Sequence, residues 1–306
     1  VSQGGRLLKF LVQDAPVRGG LVRLHGAWRQ MLAHHAYPEP VTRLLGEMTA
    51  AAALLATNIK FDGTLIMQIQ GDGPVKLLVV ECSADLALRA TAKLHDGVTI
   101  EPDAGLTQLV NRHGRGRCAI LLDPRNRAPG QQPYQGVVAL EGESIAAALQ
   151  AYMRQSEQLD TRLWLAADQR HAAGLLLQKL PDHGGRSGSA LDEDAWDRTT
   201  QLAATVSTPE LLATEPEVLL QRLFWQEKLE PYAPLAPRFQ CTCSRPRIGA
   251  MLLSLGREEV DSIVAEQGQV EVTCDFCGRA YRFDAVDVDR LFLTGESGDD
   301  AAAAKH

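Results

Sequence analysis

Six cysteines punctuate the 306-residue chain, and four of them stand in two close pairs. The first pair is Cys241-Thr-Cys243; after 30 residues comes the second, Cys274-Asp-Phe-Cys277. Thiolates are soft ligands, and two such pairs folded together can surround one zinc ion tetrahedrally. The second pair lies in VEVTCDFCGRAYRF, two β-prone runs around Cys-x-x-Cys and Gly278, which is the pattern of a zinc-knuckle hairpin. The first pair has one intervening residue, so its bite is narrower and it offers fewer amide donors between the sulfurs. The expectation is one Zn2+ held by Cys241, Cys243, Cys274 and Cys277. The competing reading is four unrelated thiols in an acidic domain.

Size makes the metal matter. The stretch from Phe239 to Leu293 is 55 residues, too few to depend comfortably on an apolar core. Structural zinc contributes roughly 10–16 kcal/mol at neutral pH, whereas a whole domain is stable by about 5–15 kcal/mol. Near neighbours oxidise most easily, so the expected bridges are Cys241–Cys243 and Cys274–Cys277. Each closes a tiny loop within one arm and leaves the arms unlinked. A cross-link between arms is worth roughly 4 kcal/mol in the chain-entropy model. Oxidation would forfeit it together with the metal bonds. Spacing therefore allows either a structural staple or a redox fuse, with the staple ahead.

The elements that must position these groups are legible in outline. Pro40–Lys60 has strong helix formers and is apolar on nearly every side at Ala50–Ala53, Leu54 and Leu55, which asks for protein all round. Leu65–Gln70, Val75–Cys82 and Leu86–Leu94 read as an antiparallel meander. Arg117–Leu122 and Gly136–Leu140 are further strand candidates, Ser144–Gln158 a helix, and Thr161–Ala166 and Gly174–Leu180 a late pair of strands. Strands and helices do not alternate regularly, so the class is α+β. Pro181–Asp194 is rich in glycine and serine, then acidic, and marks the start of a linker. Thr208-Pro209-Glu210 and Thr214-Glu215-Pro216 start helices within it. The expected division is an α+β domain over 1–181, a helical linker over 182–237, a zinc domain over 238–295 and a fraying tail over 296–306.

Charge agrees with a break. Residues 1–180 carry 19 Lys/Arg against 16 Asp/Glu, a net of +3, while residues 181–306 carry 12 against 22, a net of −10. The overall −7 disfavours a general nucleic-acid binder. Apolar content of 45% with 23% charged residues is ordinary for a globular protein and excludes collagen-like or wholly disordered chains. No run of about 18 apolar residues appears, so no membrane span is expected, and the first residues lack the order of a secretory leader. A cytoplasmic protein with reduced thiols is the expectation.

At this point the chain resembles a known family, the redox-regulated 33-kDa heat-shock chaperones. The resemblance runs over nearly the whole chain. Near the carboxyl end it rests on Phe239, Cys241-x-Cys243-Ser244-Arg245 with Arg247, Leu255-Gly256-x-Glu258-Glu259, and Cys274-x-Phe276-Cys277 with Tyr281 and Phe283. Earlier it rests on Val17-Arg18-Gly19, Leu44-Leu45-Gly46-Glu47, Lys60-Phe61-x-Gly63, Gln70-Gly71-x-Gly73-Pro74, Tyr134-Gln135-Gly136, Gln155-Ser156-Glu157-Gln158 with Thr161, and Gln178-Lys179-Leu180-Pro181. The resemblance implies a three-layer β/α/β first domain around a buried central helix, a helical linker and a small four-cysteine zinc domain. It also implies a holdase, not an enzyme: inactive and monomeric when reduced and zinc-bound, and oxidised by peroxide under unfolding stress. Zinc is then lost, the linker and zinc domain unfold, and a homodimer holds unfolding clients without ATP. That moves the fuse ahead of the staple.

The linker carries apolar residues at Leu211, Leu212, Val218, Leu219, Leu220, Leu223, Phe224 and Trp225. They need cover in the resting state. Uncovered, they would form a sticky surface against an acidic background; the plainer reading is an interdomain core. Cys82 sits in an apolar strand and reads as an inert thiol. Cys118 follows the basic turn HGRGR, which could raise its reactivity, though a structural role is preferred. That turn lacks the Gly-Lys-Ser/Thr ending of a P-loop. His34-His35 reads as surface histidines, and Ser156 has no histidine placed as its base. Two other functions compete: a zinc-ribbon nucleic-acid or regulatory adaptor, opposed by the acidic balance, and a thiol–disulfide oxidoreductase using Cys274 and Cys277, opposed by their hairpin context.

Overall fold

The computed structural model describes residues 4–59, 61–126, 133–181 and 194–295. The glycine-rich start of the expected linker and the expected fraying tail lie outside these residues. The chain divides into two compact units, Val1–Gln240 and Cys241–His306.

The first unit begins with a hairpin, β1 (Gly5–Val12) and β2 (Val17–Leu24), followed by the short helix α1 (Gly26–Leu32) and the long helix α2 (Glu39–Ala56). A meander follows: β3 (Gly63–Gln70), β4 (Val75–Ser83) and β5 (Ala87–Leu94). Next come α3 (Leu106–Val110), β6 (Arg117–Pro124), β7 (Tyr134–Val138), α4 (Ile145–Gln155), β8 (Thr161–Ala167) and β9 (Ala172–Lys179). Three helices, α5 (Ala195–Ala203), α6 (Thr208–Ala213) and α7 (Pro216–Leu223), lead to the short strands β10 (Leu229–Pro231) and β11 (Arg238–Phe239).

The strands form two sheets, one of order β10-β1-β2-β9-β8 and one of order β11-β5-β4-β3-β6-β7. Helix α2 packs on strands of both, giving the expected β/α/β layering. Its residues Ala50–Ala53 and Leu54 have no exposure at all, as an all-round apolar helix requires. Pro40 sits in its first turn, where a missing N–H costs nothing. The helix stops four residues short of Lys60, because Thr57 Oγ1 and Asn58 Nδ2 both turn back to Leu54 O, at 2.8 and 3.2 Å. Gly46 lets α2 lie against β8 and α1: a Cβ there would stand 2.4 Å from Ala167 Cβ and 3.0 Å from the Trp28 ring.

The five-stranded sheet is covered on both faces. One face meets α2; the other carries Leu8, Phe10, Leu21, Leu175 and Leu177 against Leu211, Leu219, Leu223 and Phe224. Strand β9 is accordingly buried at seven of its eight positions, and such strands read as continuous apolar runs. The helices expected in a connector, α5–α7, thus pack on this sheet within the first compact unit.

The second unit holds α8 (Arg245–Leu255), α9 (Arg257–Gln267), the hairpin β12 (Val270–Thr273) and β13 (Ala280–Phe283), and α10 (Ala285–Thr294). Its core is small: Leu252, Val260, Val270, Tyr281, Phe283, Val288 and Leu291.

Candidate metal centre

Each arm of the cluster is set by local rules. Cys241 and Cys243 lie in extended chain before α8, whose first turn is capped by Ser244 Oγ accepting from Arg247 N at 3.4 Å. Arg247 Nη1 also donates back to Thr242 Oγ1 at 2.8 Å, fixing the residue between the two thiols. Cys274 and Cys277 occupy the turn joining β12 to β13. Cys274 N donates to Arg279 O and Gly278 N to Cys274 O, both at 2.9 Å. Gly278 has φ +67°, the left-handed conformation glycine adopts without strain.

The two arms bring the four sulfurs together, all within 4.8 Å of one another. Between arms, Cys241 lies 3.7 Å from Cys274 and Cys243 lies 3.4 Å from Cys277, sulfur to sulfur. A tetrahedron with Zn–S bonds of about 2.3 Å has edges of about 3.8 Å; the two inter-arm separations are close to that length, and the four sulfurs could hold one metal ion. Four thiol donors with no carboxylate favour zinc over calcium or magnesium. All six cysteines are free thiols.

The protons on these sulfurs respond to their surroundings. Burial pushes the Cys243 thiol up, but hydrogen bonds from Tyr281 Oη and from the three sister sulfurs outweigh it and bring it down to about 7. Burial, joined by the neighbouring sulfurs, pushes Cys277 up to about 12, and burial raises Cys274. The hydroxyl of Tyr281 donates to Cys243 Sγ at 3.1 Å. No role for Tyr281 follows from the spacing alone; the sequence offers its place four residues after Cys277, on the returning strand, and its membership of the motif that carries the family resemblance. Arg245 adds a second tie, donating Nη1 to Arg282 O at 2.8 Å and Nη2 to Asp287 Oδ2 at 2.7 Å, with its guanidinium 4.2 Å over the Phe283 ring.

The other two cysteines stand apart in the first unit. Cys82 on β4 and Cys118 on β6 have no exposure, and burial pushes both thiols up to about 12. The basic turn before Cys118 therefore does not activate it: strand β6 turns the sulfur into the core.

Leu211, Leu219, Leu223 and Phe224 are buried, with Phe224 tilted against Phe10 at 5.7 Å between ring centres. Leu212 packs at the edge of that cluster. Trp225 departs from the expectation of a covered surface, being 72% exposed, and Val218 is exposed as well. They point away because α7 ends at Leu223 and can turn only one face to the sheet.

A layered α+β unit followed by a small unit built on four clustered thiols defines a class: two-unit proteins whose cysteine-only cluster could hold a soft metal ion. A family model described as Hsp33 protein matches residues 5–284, and the chain belongs to that family. It is 46% identical over 292 residues to the 33 kDa chaperonin of Methylobacillus flagellatus, covering 94% of each chain. It is 45% identical over 287 residues to that of Chromobacterium violaceum, covering 94% of this chain and 93% of the other. Its fold is similar to the crystal structure of the 33 kDa chaperonin (heat shock protein 33 homolog) of Thermotoga maritima, with a TM-score of 0.77 over 94% of this chain and 98% of that one, at 20% identity. Among the described residues no helix is long and apolar enough to cross a membrane.

Proposed function

We propose that this protein is a redox-controlled, ATP-independent chaperone that holds unfolding polypeptides after its four-thiol cluster is oxidised. One observation carries the reading: four thiols from two arms, separated by 30 residues of sequence, meet within 4.8 Å in a unit with a small core of its own. Bound at Cys241, Cys243, Cys274 and Cys277, zinc would supply the cross-link between arms and keep the sulfurs as thiolates.

The chain's own residues do the rest. Tyr281 and Arg245 hold the arms in register while the cluster is reduced. Each pair of thiolates gives two electrons to one peroxide; with two protons taken up, one S–S bond forms and two waters leave. We assign the bridges to Cys241–Cys243 and Cys274–Cys277. Close inter-arm contacts exist in the folded unit, but they last only while it is folded. Once the arms part, the two-residue and three-residue separations within each arm decide the pairing. Neither bridge restores the link between arms, so the unit from Cys241 onward unfolds.

The loss passes back along the chain through its weakest pairings. Strand β11, two residues long and separated from Cys241 by Gln240 alone, is the edge of the six-stranded sheet, and β10, three residues, is the edge of the five-stranded one. Short edge strands open at low cost. Behind them lie α5–α7, whose release would expose Leu211, Leu212, Leu219, Leu223 and Phe224 beside the already exposed Trp225. That surface suits unfolding client proteins and a second copy of the chain, so the active form is proposed to be a homodimer in the cytoplasm. No catalytic turnover, nucleic acid or membrane takes part. Zinc release and suppression of client aggregation, measured together with and without peroxide at raised temperature, test the reading; zinc loss without client holding contradicts it.

A further inference from the structure

The sandwich is longer than its central helix. At the carboxyl end of α2, residues of both sheets and of α4 line a half-open cavity of about 260 Å3, near the lower end of small-ligand cavities, roughly 300 Å3. Its walls are aliphatic: Leu55, Leu65, Ile120, Leu122, Met153 and Leu159. Its polar groups come from sequence motifs that the thiol switch leaves unused. Arg18 belongs to the Val17-Arg18-Gly19 motif, Tyr134 to Tyr134-Gln135-Gly136, Glu157 to the Gln155–Gln158 motif and Gln178 to the end of β9; all four line this one cavity.

Charge is asymmetric there. Glu157 is already satisfied, its Oε1 accepting from Tyr134 Oη at 2.8 Å and Tyr152 Oη at 2.9 Å. Arg18 is not. It donates Nε, at 2.8 Å, and Nη2 to the single neutral oxygen Oε1 of Gln178, and Gln178 is itself buried and held by donation of Nε2 to Thr161 Oγ1 at 2.8 Å. No carboxylate pairs with Arg18 among the described residues. A second cation stands near it. Lys9 donates to Thr57 O at 2.6 Å, likewise without a carboxylate partner among the described residues. Burial and the Arg18 charge both lower the Lys9 pKa. A half-buried guanidinium with one neutral partner keeps unspent capacity for a charge-assisted hydrogen bond.

We propose that this cavity is a binding site for a small amphipathic carboxylate, a medium-chain aliphatic acid whose carboxylate meets Arg18 and whose chain lies along Leu65, Ile120, Leu122 and Met153. The site is separate from the thiol cluster and needs no oxidation. The two tyrosine hydroxyls occupy Oε1 of Glu157, which leaves Arg18 as the cavity's group with donor capacity to spare.

Isothermal titration of the reduced, zinc-loaded full chain with octanoate and with 1-octanol tests this. Octanoate is expected to bind saturably at one per chain, and octanol at least about tenfold more weakly, the fold-change of one charge-assisted hydrogen bond. Arg18→Gln is expected to bring octanoate down to the level of octanol, with circular dichroism melts showing the variant folded. Should that variant not fold, the wild-type pair still decides, together with the methyl NMR signal of Met153, which octanoate is expected to shift among the five methionines. Equal affinity for octanoate and octanol, no saturable binding, or binding that leaves the Met153 methyl unmoved would overturn the proposal.

Discussion

Replacing Phe224 by alanine should separate the helical segment from the sheet beneath it while leaving the sandwich folded. The ring is 2% exposed and lies 5.7 Å from that of Phe10. Truncating a buried phenylalanine costs about 3–5 kcal/mol. Nearly all of that cost falls on the contact between α5–α7 and the outer face of β1, β2 and β9, because Phe224 belongs to that cluster and not to the one around α2. The polar ties that remain are few: Arg23 to Leu212 O and to Glu215, both at 2.7 Å, and Arg6 to Glu217. Exposed ion pairs of this kind contribute about 0–1 kcal/mol each. At one decade per 1.4 kcal/mol, local opening of α5–α7 should rise at least about a hundredfold. Native-state hydrogen exchange over residues 195–223 reads this directly, with exchange in α2 as the internal reference. The same variant should suppress client aggregation without any peroxide. Faster exchange with no client holding would refute the assignment of these helices as the client surface; exchange that rises only in step with α2 would refute their independent opening.

Three further outcomes follow from single groups. Burial raises Glu47, on α2, to about 7, with the Arg43 charge opposing weakly. Because the folded state holds this proton more tightly than the unfolded chain, the contribution is present below pH 4.5 and is lost as pH rises through about 7, a change of about 3 kcal/mol. Urea melts between pH 5 and 8 should show that fall, and Glu47→Gln should flatten it. Cys82 and Cys118 should resist alkylation at pH 8 in the native protein while the other four label once the metal is chelated, as mass spectrometry of digests would show. Gly46→Ala should lower stability by about 1–3 kcal/mol, since its Cβ would lie 2.4 Å from that of Ala167; thermal melts check this.

The cluster was legible because metal chemistry is written locally: the thiols, their spacing and the glycine after Cys277 stand together in the chain. The buried helix was legible because Ala50–Leu55 leaves no polar face. The meander β3–β5 followed from alternation, but the first hairpin did not. β1 and β2 belong to a sheet covered on both sides, so neither alternates. Gly19-Gly20 imitates a turn, yet Gly19 sits mid-strand because the Phe10 ring occupies its Cβ position, 2.1 Å away. The attachment of α5–α7 to that sheet was equally hidden, since an amphipathic helix declares that it needs a partner and not which one. Tyr281 on Cys243 and the convergence of Arg18, Tyr134, Glu157 and Gln178 depend on contacts between segments remote in sequence. Only the folded backbone reveals them.

In the proposed function, one ion joining two arms keeps the carboxyl-terminal unit folded and the chaperone silent. The most direct test oxidises the zinc-loaded protein with peroxide at raised temperature, following zinc release with a colorimetric chelator and hydrogen exchange in residues 241–295 on the same samples. Protection there is expected to disappear as zinc is released, while α2 stays protected. Full zinc release with α8, α9 and the β12–β13 hairpin still protected would contradict it.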